Sequence, residues 1–178
     1  MSPICWNDPM TARPLPSLFR CRSGAAAAEM ALILPMLIAI MFGGFEGGAY
    51  LWTEHKVVKA VRDGARFAAR QSFSVFDCTG ITDAAVLARV QNLTRTGETS
   101  GGTAKIVGWD DNDQVIVTAA CQTGQSYSDQ GVYATETSGA THVTVSATVP
   151  YPSLFGTLGF DTTGATVTAS ANAAVMGI

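Results

Sequence analysis

The stretch AAAAEMALILPMLIAIMFGGFEGGAYLW, residues 25–52, decides how this chain is read. As a helix it would run ~42 Å at ~1.5 Å per residue, more than the ~30 Å hydrocarbon core of a bilayer. No residue between Met30 and Phe45 is charged. Tyr50 and Trp52 fall near the far end, where an interfacial aromatic anchor belongs, and Arg20 and Arg22 precede the near end. The positive-inside rule then places the N-terminus in the cytoplasm and the rest of the chain outside. A removable secretory signal would put its small-residue cleavage site after the apolar run. Here the Ala-rich patch comes before it, and the run passes through Gly-rich sequence into an amphipathic helix. The expected organisation is a cytoplasmic leader (1–24), a transmembrane helix (25–52) and a periplasmic domain (53–178). The leader, with Pro3, Pro9, Pro14 and Pro16 and with Arg13, Arg20 and Arg22 against Asp8, reads as irregular and mildly cationic.

Two carboxylates interrupt the span. A charged group at the bilayer centre costs ~2.5–3.5 kcal/mol on insertion scales, and less near an interface. Glu29 lies near the cytoplasmic end. If the chain were cut between Gly24 and Ala25, the new α-amino group of a neighbouring subunit could pair with Glu29 and set the axial register of packed helices. The alternative is that Glu29 snorkels to the head groups, and snorkelling is the preferred reading for Glu46. Gly43 with Gly47, and Gly44 with Gly48, each form GxxxG and permit close helix approach. Pro35 is expected to kink or loosen the helix.

The bulk numbers narrow the function. A chain of 178 residues holds one domain plus appendages, and 14% charged residues is well below the usual ~25%. A net charge of −3 with no basic stripe in the C-terminal half argues against nucleic-acid binding. Of the four cysteines, Cys5 and Cys21 precede the span and would face the reducing side. Cys78 and Cys121 follow it, without CxxC spacing or a nearby His pair, so a disulfide is expected rather than a metal site.

The residues SGAAAAEMALILPMLIAIMFGGFEGGAYLW followed by VVKAVRDGARFAAR resemble the TadE-like family, minor pilins (pseudopilins) of the Flp or tight-adherence pilus. The parts occur in order: a small Gly–Ala cluster (24–28), Glu29, an apolar run containing Pro (30–42), a Gly/Glu cluster (43–48), and an AxREGARxAA-like helix (60–69). Asp63 stands where Glu is usual. The late strands ending VTVSATVPYP and ATVTASANAAV also resemble the family. The resemblance implies cleavage by a prepilin peptidase after Gly24, leaving Ala25 as the mature N-terminus and Glu29 as the fifth residue. It also implies an inner-membrane location and, as partners, other pilins and inner-membrane pilus assembly proteins.

Beyond Trp52 the helix is expected to continue to about Arg70, with Val57, Val61, Ala65 and Ala68/Ala69 forming an apolar stripe. On its other faces Lys59–Asp63 is an attractive pair and Arg62–Arg66 a repulsive one. A second helix fits 83–94, with Thr82 as N-cap and Val86, Val90 and Leu93 inward. Strands are expected at 104–109, 114–121, 141–149 and 165–175. A hairpin turn at Asp110–Asp113 would join the first two. The stretch 122–139 reads as a long exposed loop, and Leu154, Phe155, Leu158 and Phe160 as an apolar turn. The fold class is α+β and pilin-like: a long N-terminal transmembrane helix continuing into a helix packed on a small antiparallel sheet.

No catalytic constellation is present. The Asp110–Asp113 cluster lacks the Gly and distal Glu of an EF-hand. His55 and His142 are isolated, no nucleophile motif can be built, and Asn92–Thr94 is a glycosylation tripeptide on a predicted helix. The expected function is non-enzymatic and needs no cofactor or metal: a minor pilin acting in pilus assembly, with membrane lipid and other pilins as partners. The alternative is a permanently anchored periplasmic adaptor or ligand-binding domain.

Overall fold

Two periodicities, 3.6 along a helix and 2 along a strand, build the core of this protein. The computed structural model describes residues 23–122, 131–134, 136, 139–157, 159–160, 162 and 164–177. Leader residues 1–22, with Cys5 and Cys21, lie outside these, as do Leu158 and much of the 122–139 loop. The described elements are α1 (Ser23–Ala69), α2 (Ala84–Thr96), β1 (Val115–Gln122), β2 (Ala140–Pro150), the short α3 (Leu154–Thr157) and β3 (Thr166–Ala174). Long apolar helix, further helices and a small antiparallel sheet make the α+β class expected from the sequence. Helix α1 runs 47 residues and passes through Pro35 without a break in its assignment. Two units divide at 45/46, and each is described separately.

In the second unit, Val57, Ala60, Val61, Ala65 and Ala68 of α1 are at most 2% exposed. Most of these are alanines, which let a neighbouring backbone come close. They join Val86 and Val90 of α2 and the inner face of the sheet in one apolar core. The sheet has the order β1-β2-β3, antiparallel throughout. Along β2 the side chains of Thr141, Val143, Val145, Ala147 and Val149 are buried, and the intervening ones more exposed. That alternation is the one HVTVSATV predicts, because a register slip of one residue would turn every valine to solvent. Tyr133, in the short 3₁₀ turn Gly131–Tyr133 within the predicted loop, donates its hydroxyl to the Val175 carbonyl at 2.7 Å.

Four local expectations are corrected. The N-cap of α2 is Asp83, whose carboxylate accepts from the Ala85 and Val86 amides, while Thr82 donates its hydroxyl to the Val75 carbonyl. A carboxylate at this position also complements the helix dipole, which a hydroxyl does not. Inward from α2, Thr94 is fully buried where Leu93 was expected. Residues 104–109 form turns rather than a strand: Trp109 donates its amide to the Ile106 carbonyl, and Gly108 sits at φ +84°. Ile106 and Trp109 are nevertheless buried, so the apolar pattern there reports side-chain anchoring rather than ladder pairing. The hairpin expected at Asp110–Asp113 is replaced by a 3₁₀ turn, Asn112–Gln114, closed by a capping box from Asp111 to Gln114.

Asn92, the head of the glycosylation tripeptide, is buried in α2 and donates its side-chain amide to the carbonyls of Glu98 and Gly101 at 2.9 and 2.8 Å. Its role here is to hold the loop that follows α2.

Cys78 and Cys121 are joined by a disulfide, with their Cα atoms 4.9 Å apart. Beside it, the Asp77 carboxylate accepts from the Thr79 hydroxyl at 2.7 Å and from the Thr79 and Gly80 amides at 2.8 and 2.7 Å. The Thr79 hydroxyl is the largest cause holding this carboxyl below the ordinary aspartate value of 3.8, with the amides adding to it. A lowered folded-state pKa means support that is present above pH 3.8 and lost as pH falls through the folded value. The Thr79 and Gly80 amide resonances are therefore expected to shift in that acid window. In Asp77→Asn that titration should vanish, and its persistence in the variant would assign it to another group.

Candidate membrane and assembly helix

In the first unit, α1 carries eleven large apolar side chains from Met30 to Phe45, and all are exposed, from 40% at Ile38 to 80% at Leu32. Burying such a side chain is worth ~1.5–3 kcal/mol, so leaving eleven in water forgoes ~15 kcal/mol or more. That equals or exceeds the ~5–15 kcal/mol net stability of a typical domain. Among the described residues nothing covers these side chains, and they call for an apolar surrounding. The helix is long and apolar enough to cross a membrane.

Gly24 and Ala25 lie in the first turn of α1. Glu29 is exposed, one turn further on. Its helix neighbours three and four residues away are Ala25, Ala26, Leu32 and Ile33, and no Lys or Arg occurs between Arg22 and Lys56. Helix-surface pairing at i±3 and i±4 therefore cannot compensate its charge. A Cβ added at Gly43, Gly44, Gly47 or Gly48 would meet nothing within 4 Å. Among the described residues, no packing contact requires glycine at these four positions.

Glu46 is placed otherwise than the sequence suggested. It belongs to the second unit, where its carboxylate accepts from the Ser153 hydroxyl and from the Leu154 amide at 3.0 Å. Its carbonyl accepts from the Tyr151 hydroxyl at 3.2 Å, and the Tyr151 ring meets Tyr50 edge-on with centroids 5.3 Å apart. Burial pushes the Tyr151 phenol above its ordinary pKa, and the Glu46 charge adds to the shift. Glu46 therefore pins the β2–β3 connection to α1 instead of reaching for head groups. Sequence reasoning missed this because the partners lie more than 100 residues away. The only local hint was a carboxylate among four glycines that leave it accessible. Glu46→Gln keeps the shape but weakens the charge-assisted bonds, and is expected to cost about 1 kcal/mol at this half-exposed site. Faster hydrogen exchange at the Leu154 amide would report it, and unchanged protection there would show that the carboxylate charge is dispensable.

The described residues thus define an α+β protein with one helix long and apolar enough to cross a membrane. Residues 24–66, from the first turn of α1 almost to its end, match the model of the TadE-like protein family. That match points to a protein associated with the Tad pilus and to pilus-related protein partners. No curated protein and no solved structure matches the chain.

Proposed function

We propose that this protein is a minor pilin (pseudopilin) of a Flp-type, tight-adherence pilus, anchored in the bacterial inner membrane by the apolar part of residues 25–52, which ends ahead of Glu46. The leader 1–24 faces the cytoplasm, the domain 53–178 faces the periplasm, and a prepilin peptidase cuts between Gly24 and Ala25. The observation that carries this reading is the exposed Glu29, without a basic neighbour on its own helix, inside the family-matched apolar segment. Its charge is costly in lipid unless compensated, and the freed α-amino group of an adjacent pilin supplies an opposite charge at the right end of the helix. Pairing then sets the stagger between subunits, and the open faces of Gly43, Gly44, Gly47 and Gly48 allow close helix packing. The Cys78–Cys121 disulfide supports an oxidising compartment for the domain.

Glu29→Ala is expected to abolish pilus assembly while leaving the amount of membrane-bound protein unchanged. Sheared pili probed for this chain, beside membrane fractions, would measure both. Normal pili from that strain would instead favour a permanently anchored periplasmic adaptor. The mature N-terminus, read by mass spectrometry, tests processing separately: intact Met1 in membrane preparations removes the peptidase step.

A further inference from the structure

The sequence contains three lysines, Lys56, Lys59 and Lys105, and all three line one cavity of about 430 Å³, together with Ala60, Asp63 and Gly97. Lys56 and Lys59 stand three apart on α1, so they share a face. Lys105 arrives from the α2–β1 connection, its backbone tied by a 3.0 Å bond from its amide to the Arg95 carbonyl. Gly97, the αL C-cap of α2 at φ +94°, makes room for it: a Cβ there would stand 3.1 Å from Lys105 Cε. The lining carries three lysines against one carboxylate, Asp63, a formal excess of two positive charges in a chain whose net charge is −3.

We propose that this cavity binds a phosphate-bearing anion, either the headgroup phosphate of a membrane phospholipid or free phosphate. Like charges gathered around one space repel, and an anion placed among them relieves that repulsion while accepting several charge-assisted hydrogen bonds. Burial holds the Lys105 ammonium below the ordinary lysine range; Asp63 pulls it back up and Lys59 pushes it further down. Lys56 and Lys59 lie ~17 and ~21 Å along the helix beyond Phe45, the last residue before the folded unit, at ~1.5 Å per residue. The polar layer outside the hydrocarbon core is ~5–8 Å thick on each side, so a lipid headgroup reaches the site only where the lysine stems extend back along α1, whereas free phosphate reaches it directly. Lys56 Nζ already sits 5.5 Å from the centroid of the exposed Trp52 ring. The lipid alternative rests on α1 crossing a membrane; the free-phosphate alternative does not. Neither rests on pilus assembly, so failure of the site would leave the pilin reading intact.

Labelling the full-length chain with ¹⁵N-lysine gives three backbone signals, all from the site. In neutral detergent micelles, the chain would be titrated with inorganic phosphate, dihexanoyl phosphatidylglycerol and dihexanoyl phosphatidylcholine at constant ionic strength. Saturable shifts of all three signals are expected. A tighter response to phosphatidylglycerol than to phosphate assigns the lipid, and the reverse assigns the free anion. Lys59→Gln should weaken binding about three- to fivefold, as expected for loss of one partly exposed ionic contact. Lys59→Arg should restore it, and Asp63→Asn should tighten it about two- to threefold. The proposal is overturned if no phosphate probe gives a saturable shift or if sodium chloride reproduces the shifts. Unchanged affinity in Lys59→Gln, or a response to polyglutamate alone, would also overturn it.

Discussion

Replacing both Cys78 and Cys121 with serine is expected to lower the unfolding free energy of the domain by about 4 kcal/mol. The bond spans 43 residues, and in the chain-entropy account a loop of that length contributes about that much at 25 °C, less any strain released. The enclosed segment contains all of α2 and nearly all of β1, so the denatured chain gains freedom across about a quarter of the sequence when the bond is removed. In the folded state the bridge also fixes the 76–81 turn, which is paired through Phe76 and Ile81, against the edge of β1. There the Ala119 amide reaches the Thr79 carbonyl at 3.4 Å. Urea unfolding of the full-length protein in mild detergent should show an earlier midpoint. The slope should steepen, because the unlinked denatured chain exposes more surface. A change below about 1 kcal/mol would mean that residual structure in the denatured state, not loop closure, dominates.

Gly64→Ala is the second large effect, a destabilisation of about 2 kcal/mol. Gly64 lies on the α1 face that meets α2, and a Cβ built there falls 2.0 Å from Thr94 Oγ1 and 3.2 Å from Thr94 Cβ. Neither partner can easily give way. Thr94 is fully buried, and its hydroxyl is committed to the Val90 carbonyl at 2.8 Å. On an isolated helix, Gly to Ala would be stabilising by up to ~1 kcal/mol. Here overpacking, typically ~1–3 kcal/mol, acts against that gain and sets the sign. The second-site change Thr94→Ala removes Oγ1, the nearest opposing atom, and leaves only Cβ at 3.2 Å, so the double variant should recover most of the loss, a coupling that a double-mutant cycle measures directly. A neutral Gly64→Ala would show that α1 and α2 part readily enough to admit the methyl group. This contact also supplies a physical reason for the glycine within VRDGARFAA, the part of the family-like motif for which helix propensity alone offers none.

Much of the architecture was legible because it depends on local repetition. The run from Met30 is apolar throughout, the stripe Val57, Val61, Ala65, Ala68 follows the helical period, and HVTVSATV follows the strand period. Each pattern is a property of neighbouring residues, so it survives without knowledge of the fold. The pairing of Cys78 with Cys121 followed from compartment and elimination rather than geometry, and the bond is present. The stretch 104–109 misled the reading because burial and strand pairing leave the same apolar imprint when the pattern is short. Ile106 and Trp109 are buried as in a strand, while their backbone turns.

The sequence by itself determined that an apolar helix with a carboxylate near its start follows the leader, continues amphipathically, and leads into an α+β domain. Only the tertiary structure decided that Glu46 binds Ser153 and Leu154, that Gly64 faces Thr94, and that the three lysines converge on one cavity. Hydrophobic periodicity is written in near neighbours. Meetings of single polar groups from segments 30 to more than 100 residues apart depend on how the chain closes its loops.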